Sequence, residues 1–416
     1  MALKTERIAE QLELFGCIQC GKCTGGCPVA RKTVLNIRSM IYHMLVEPEL
    51  DAVFFKAHQE LWDCTCCFTC VERCPKDVRP ADLIIELRGQ MVESGRIPET
   101  IGAALMGVFR QGNPTGIARE DRAAWTNGVN GVNGCGRAKV KVKAAQEGCE
   151  VLYFVGCSPA YDPRVQVVTR ALVRAFAAAG LDFGTLGTEE SCCGNEVRRM
   201  GEVGLFEMLV EENGELFRGV GASRLVTTSP HCFNTFKNEY GLDGIEVLHY
   251  TQLVAELIEQ GQLEFSAPPL PPPAAGGGGG GGGVEKMVTY HDPCFLGKQN
   301  HIFDEPRAIL KAIPGVKLVE MDRSRERSLC CEGGGGRMWA EGTNLEERLA
   351  FQRVHEAAET GAEILAVACP FCLLTLEDAV KVQGLDDRLQ VMDIMELVDL
   401  ALTKHGLGEL TDQIPG

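Results

Sequence analysis

The 416-residue sequence contains no stretch of about 18 apolar residues free of charge, since even Ala171–Gly187 carries Arg174 and Asp182. Nothing in it reads as a bilayer-spanning helix, and membrane contact is expected only through a partner. Positive charge is scarce as well: 41 Lys and Arg stand against 57 Asp and Glu, a formal net charge of −16. Phosphate backbones are held by clustered Lys and Arg that displace counterions, so nucleic acid is excluded as a partner. No basic segment followed by an apolar run stands near Met1, which argues against a signal peptide. No G-x-G-x-x-G follows a predicted strand, so any flavin is expected on a partner. Cysteine, by contrast, is abundant. Twenty occur, and without a secretory signal they are expected to be reduced, cytoplasmic, and metal-binding or catalytic. At 45% hydrophobic the chain can bury a large core.

Residues 1–100 hold nine cysteines in two tight runs. Between the runs, Ile37, Ile41 and Leu45 have the spacing of an amphipathic helix. Residues 101–150 are rich in Gly, Asn and Ala and read as a connecting segment over a surface; Cys135 and Cys149 within it lack partners at motif spacing and are expected to be unliganded. From Val151 the pattern becomes short β-branched and apolar runs, each followed by a turn and a helical stretch, as βαβ units require. The runs are Val151–Gly156, Arg224–Thr228, Met287–Tyr290 and Glu363–Ala368. Ser266–Gly283 has almost no side chains to bury and reads as a flexible Pro/Gly linker. It divides an internal repeat: Cys157, Cys192–Cys193 and Cys232 in 151–265 match Cys294, Cys330–Cys331 and Cys369 in 284–416, with intervals that agree to within a residue. The expected fold is α+β overall, an α-helical ferredoxin-like domain followed by two pseudo-repeated α/β subdomains.

Cys17, Cys20, Cys23 and Cys27 precede Pro28 in C-x-x-C-x-x-C-x-x-x-C-P, and Cys64, Cys67, Cys70 and Cys74 repeat it before Pro75. Three closely spaced thiolates wrap one face of a cubane [4Fe–4S] cluster, and the fourth reaches the neighbouring cluster. Cys17, Cys20, Cys23 and Cys74 are thus assigned to one cubane, and Cys64, Cys67, Cys70 and Cys27 to the other. Structural zinc, which favours two separated pairs, fits less well. Cys66 interrupts the second run and reads as a bystander. Peptide N–H groups near Gly21, Gly25 and Gly26 are expected to bond cluster sulfurs. Adjacent cysteines such as Cys192–Cys193 cannot easily share one iron of a compact cubane, which points to a larger or opened cluster. Each half also places cysteines just after a strand, where the carboxyl end of an open sheet forms a ligand crevice.

The paired motif resembles the CCG domain of heterodisulfide reductase. Over nearly all of residues 10–400 the chain resembles the single-chain form, in which a two-cluster ferredoxin-like domain is fused to duplicated CCG domains. It is also similar to iron–sulfur subunits of glycolate, lactate and anaerobic glycerol-3-phosphate oxidation, and to those beside electron-transfer flavoproteins, benzoyl-CoA reductase and sulfite reduction. The resemblance implies that a cysteine, a doublet and a closing C-x-x-C bind a non-cubane [4Fe–4S] cluster, here through Cys294, Cys330, Cys331, Cys369 and Cys372. Glu332 stands where the motif's glycine would be. In the first half Thr235 replaces the last cysteine, leaving Cys157, Cys192, Cys193 and Cys232 either to hold a further cluster, assisted by His231, or to line a pocket or form a redox disulfide. Paired non-cubane clusters are implied to hold both sulfurs of a disulfide, so one incomplete site argues against full heterodisulfide reduction.

His291 and His231 each precede a cysteine ligand, and would deliver protons or, the favoured reading, bond cluster sulfur. Gly333–Gly336 would form an anion nest with Arg337 or, as favoured, allow backbone to pack closely on a cluster. The function implied is an oxidoreductase subunit passing electrons between the cubanes and the second-half cluster. A flavoprotein or hydrogenase-linked subunit would sit at one end, and a disulfide, or a membrane cytochrome b and quinone, at the other. The alternatives are the iron–sulfur subunit of a hydroxyacid or glycerol-3-phosphate dehydrogenase, or a docking relay. The expected location is cytoplasmic or peripheral at the inner face of the membrane.

Overall fold

The computed structural model describes residues 5–49, 60–129, 140, 142–265, 285–340, 342, 344 and 346–402. The linker Ser266–Gly283 and Cys135 lie outside the described residues. The N-terminal region is helical. Helix Ile37–Val46 starts where the Asn36 side chain accepts the Ser39 amide at 3.0 Å, and it buries Ile37, Met40, Ile41 and Met44. Those residues share one core with Leu83, Ile84, Leu87 and Met91 of helix Pro80–Glu93. The cysteine runs occupy the turns around this core.

Two wholly parallel sheets follow. The first comprises β1 (Lys143–Ala144), β2 (Val151–Phe154), β3 (Phe183–Thr185), β4 (Arg224–Thr227) and β5 (Glu246–His249), in spatial order β1-β3-β2-β4-β5. The second comprises β6 (Lys286–Tyr290), β7 (Val316–Val319), β8 (Ile364–Val367) and β9 (Gln390–Asp393), in order β7-β6-β8-β9. Leaving aside the edge strand β1, the two orders are the same. In each, the winding reverses between the first and third strands of the unit, so the crevice at the carboxyl ends opens there. Cys157 and Cys232 follow β2 and β4, and Cys294 and Cys369 follow β6 and β8.

The halves join as a pseudo-dimer. Helix Pro163–Ala178 packs on Ile394–Leu402, and Tyr250–Glu259 packs on Asp304–Ala312, so corresponding helices exchange partners as across a two-fold axis. One hydrophobic core runs through both sheets. Arg174 bridges Asp399 at 2.7 Å, and the Tyr250 hydroxyl donates to Asp393 at 2.8 Å. Residues 101–150 do more than connect: Ile101, Leu105 and Val108 bury one face of helix Glu99–Gln111, Trp125 is buried, and β1 extends the first sheet beside β3. Among the described residues no helix is long and apolar enough to cross a membrane.

The helical region docks on both halves through Arg88, which is fully buried. Its guanidinium donates to Leu61 O (2.6 Å) and Cys64 O (2.7 Å) in its own region, to Arg199 O (2.9 Å) in the first half and to Gly335 O (2.9 Å) in the second. Beside it Gly201, at φ +92°, lies so close that a Cβ would fall on the backbone of Arg88 and Gly89. Arg88→Met leaves four buried carbonyls without a donor and is expected to cost on the order of 4 kcal/mol or more, read as a lower urea midpoint. Gly201→Ala should cost about 2–3 kcal/mol through the left-handed backbone and the clash; an unchanged thermal midpoint would refute this packing.

Candidate functional site

Cys17, Cys20, Cys23 and Cys74 line one small pocket together with Gly21, Lys22, Arg38 and Lys76. Cys20 is exposed, so this thiol set opens to the surface. Cys27, Cys64, Cys67 and Cys70 form a second set and are buried. Burial, then the nearby Cys67 charge, pushes the Cys27 thiol up to about 12. Burial likewise raises Cys70, to which Cys67, Cys27 and Cys23 add. Thiolates crowded this way repel one another unless a cation sits among them, and this donor chemistry fits an iron–sulfur core. The amides that reach sulfur are those of Gln19 (to Cys17), Ala30 (to Cys27) and Cys66 (to Cys64), each at 3.4 Å. The Gly25 amide bonds Gly21 O at 2.9 Å within a helical turn. Cys66 is more than a spacer: it is buried at φ +49°, with its sulfur 3.6 Å from Arg88.

The second-half cysteines converge as well. Cys331 and Cys372 sulfurs stand 3.2 Å apart, with Cys369 beside Cys372 and Cys330 beside Cys331, all as free thiols. Cys294 lies close enough to feel Cys330, Cys331 and Cys67. Cys330 also touches Cys67 of the helical region, and its sulfur is 3.3 Å from the Thr65 hydroxyl. The helical and second-half thiol sets are thus in direct contact. Glu332 takes φ +69°, and its amide donates to Cys330 sulfur at 3.3 Å. Gly194 does the same in the first half, at φ +79° with 3.4 Å to Cys192. Gly334 and Gly335 press against the backbone of Cys64 and Thr65, where a Cβ would come within 3.0 Å, so close packing accounts for these glycines. Arg337 turns to Ala340 O at 2.8 Å.

The two histidines differ. His291 accepts a hydrogen bond from Arg353 at 3.0 Å on Nδ1, and burial, helped by Arg353, holds its pKa well below the usual value. It is therefore a neutral imidazole with its proton on Nε2, and its ligand atom lies within 4.8 Å of those of Cys331 and Cys372. His231 reaches into the other half. It stands between Phe295 and Phe371 of the second half, with ring centroids 4.2 and 4.8 Å away, and bonds Cys369. Burial alone would depress it, but Cys369 and Glu196, 2.9 Å away, outweigh that and hold its pKa at about 10. The Gly336 amide donates to the same Glu196 at 2.6 Å.

In the first half Cys157, half-buried, and the buried Cys192, Cys193 and Cys232 form a continuous row of neighbouring sulfurs. Thr235 is buried and its hydroxyl donates to Asn195 at 3.0 Å. Arg122 lies 3.9 Å from Cys157 sulfur and pairs with Glu190 at 2.6 Å, and Glu190 accepts the Val155 and Gly156 amides at 2.9 and 2.8 Å. Sequence reading missed Arg88, Arg122, Glu190, Lys298 and Arg353. Only Arg88 carried a signal, because it lies on the apolar stripe of its helix with Ile84 and Met91.

The family description "4Fe-4S dicluster domain" matches residues 13–78, and "Cysteine-rich domain" matches 151–237 and 288–377. The iron-sulfur-binding oxidoreductase FadF of Bacillus subtilis is 31% identical over 94% of this chain and 60% of its own length. The EtfAB:quinone oxidoreductase of Syntrophomonas wolfei is 31% identical over 93% of this chain and 58% of its own. The chain thus spans about three fifths of the length of these two relatives. A subunit of the dihydromethanophenazine:CoB–CoM heterodisulfide reductase of Methanosarcina barkeri is 30% identical over 94% of both chains. A solved structure of a hypothetical protein from Helicobacter pylori shares the fold, with a TM-score of 0.51 at 11% identity over 96% of this chain and 72% of that one. With a dicluster domain and two cysteine-rich domains in the same chain, and identity carried along almost the full length of the Methanosarcina protein, this chain belongs to the heterodisulfide reductase family of iron–sulfur oxidoreductase subunits.

Proposed function

We propose that this chain is the electron hub of a larger redox complex, with two cubane clusters and one non-cubane cluster in series. Cys17, Cys20, Cys23 and Cys74 hold the outer cubane, Cys64, Cys67, Cys70 and Cys27 the inner one, and Cys294, Cys330, Cys331, Cys369 and Cys372 the non-cubane centre. When bound, these groups supply one-electron carriers and, at the last, a seat for sulfur chemistry. The observation that carries this reading is the seating of Cys330 against the helical region, its sulfur 3.3 Å from the hydroxyl of Thr65, two residues before Cys67, within one buried core that also holds Cys64, Cys67 and Cys70. The exposed Cys20 makes the outer set the natural point of exchange with a partner.

The chain's own residues fit that task. His231 lies beside Cys369, and Glu196 holds the imidazole in place. His291, kept neutral by burial and by Arg353, stands beside Cys331 and Cys372 as a hydrogen-bonding neighbour and not as an acid. In the first half Thr235 supplies no thiol, so the two halves cannot act as an equal pair on the two sulfurs of one disulfide. The four thiols there, with Arg122, make a second, weaker cluster position. The likeness to an EtfAB:quinone oxidoreductase favours a flavoprotein on the donor side and a quinone-linked acceptor, with a disulfide as the other acceptor.

Cys331→Ala is expected to remove about four irons per chain and any signal that appears on thiol oxidation, leaving both ferredoxin-like signals intact. Iron and sulfide analysis with EPR of the anaerobic protein checks it. About eight irons in the unmodified protein, with ferredoxin-like signals alone, would reduce the two cysteine-rich halves to a docking module.

A further inference from the structure

We propose that Lys298 is a buried counter-cation shared by the inner cubane site and the second-half site, and that it sets the reduction potentials of both. Lys298 stands on the short helix Gly297–Asn300, four residues after Cys294, and is 3% exposed. Its ammonium donates to the Thr69 hydroxyl at 2.9 Å and to Ser328 O at 2.7 Å. Thr69 Oγ1 in turn lies 3.3 Å from the sulfur of Cys67, and Ser328 is two residues before Cys330. The charge is therefore clamped between one element that carries an inner-cubane ligand and another that carries a second-half ligand. It acts electrostatically on the thiols of Cys67 and Cys294 alike.

Among the described residues no carboxylate lies within ion-pair distance of Lys298, whereas Arg122 and Arg307, buried to a similar degree, have Glu190 at 2.6 Å and Asp292 at 2.7 Å. Taking an ammonium out of water costs several kcal/mol unless negative charge meets it. The negative charge at hand is that of the ligand thiolates and of what they hold. Each electron added to either centre increases that charge, and a fixed cation in a water-poor interior favours the reduced state of both. The basic residues around the outer cubane site, Lys22, Arg38 and Lys76, are solvent-exposed and screened, and have no comparable hold.

The inference rests on the cluster assignments proposed above, and the test keeps the two apart. The full chain, purified anaerobically, is titrated by EPR as unmodified protein, Lys298→Met and Lys298→Arg. In Lys298→Met all centres are expected to load. At the unmodified midpoints, the reduced-to-oxidised ratio of the inner cubane and of the second-half centre should each fall about tenfold, equivalent to about 59 mV for one electron. The outer cubane should stay in place, and Lys298→Arg should retain the unmodified values. Full loading with unmoved potentials, or an equal shift of the outer cubane, would overturn the proposal. If Lys298→Met does not load, Lys298→Gln keeps one hydrogen bond without the charge. Failure of both neutral variants where Lys298→Arg loads upholds the counter-cation, and failure of Lys298→Arg as well reduces Lys298 to packing. Should the unmodified protein lack a second-half signal, the cluster assignment there fails, and the inner cubane's potential still decides for or against Lys298.

Discussion

The arrangement of three thiol-bearing regions around one point depends on the Arg88 guanidinium. A planar fork with five N–H donors can bind carbonyls in several directions at once, which a point-like ammonium cannot. Arg88 uses it to tie Leu61 and Cys64 to Arg199 in the first half and Gly335 in the second. Its plane also lies 4.8 Å from the Trp62 ring, and its remaining reach is to Cys66 sulfur. A loop held this firmly at Cys64 brings Cys67 to Cys330. Glycines at 334 and 335 let the backbones close to contact, and Gly201 does the same on the other side. The proposed electron path would thereby be a consequence of how the regions dock and not carried by any one of them.

Buried cations recur beside the thiol sets. Arg88 faces Cys66, Arg122 faces Cys157, Lys298 lies by Cys67 and Cys294, and Arg353 stands behind His291. The sequence as a whole has an excess of acid, with a net charge of −16, so this placement runs against composition. Thiolates in a water-poor interior need positive charge nearby, and cluster iron and these side chains share that role.

Duplication left the same frame in both halves and different chemistry within it. The left-handed residue after each doublet is held by the same amide-to-sulfur bond, although it is Gly194 in one half and Glu332 in the other. The closing cysteine survives only as Cys372; its counterpart Thr235 now braces Asn195, whose neighbour Glu196 supports His231. The first half has thus turned part of its own site towards its partner, contributing His231 to Cys369 across the interface.

Much of this was legible in the residues. Cysteine spacing is a covalent matter of reach, so the grouping of thiols in the helical region follows from C-x-x-C-x-x-C-x-x-x-C-P, and the repeat follows from matched intervals that a shared sheet order then embodies. Strand periodicity marked β2, β4, β6 and β8 because fully buried parallel strands read as continuous apolar runs. The helix Glu99–Gln111 went unseen in a Gly- and Asn-rich region, though its apolar face was spaced correctly. Beyond that, sequence order was an incomplete guide: His231 adjoins Cys232 but also stands beside Cys369 of the other half. Which side chain meets which across 60 to 300 residues depends on domain docking, and docking is decided by surface fit that no local pattern encodes. The sequence by itself determined the donor atoms, the frame that repeats them and the absence of a second closing cysteine. Only the tertiary structure decided that Cys67 meets Cys330, that Arg88 binds all three regions, and that Lys298 has thiols for its counter-charge, because each of these joins residues remote along the chain through contacts made when the regions close on one another.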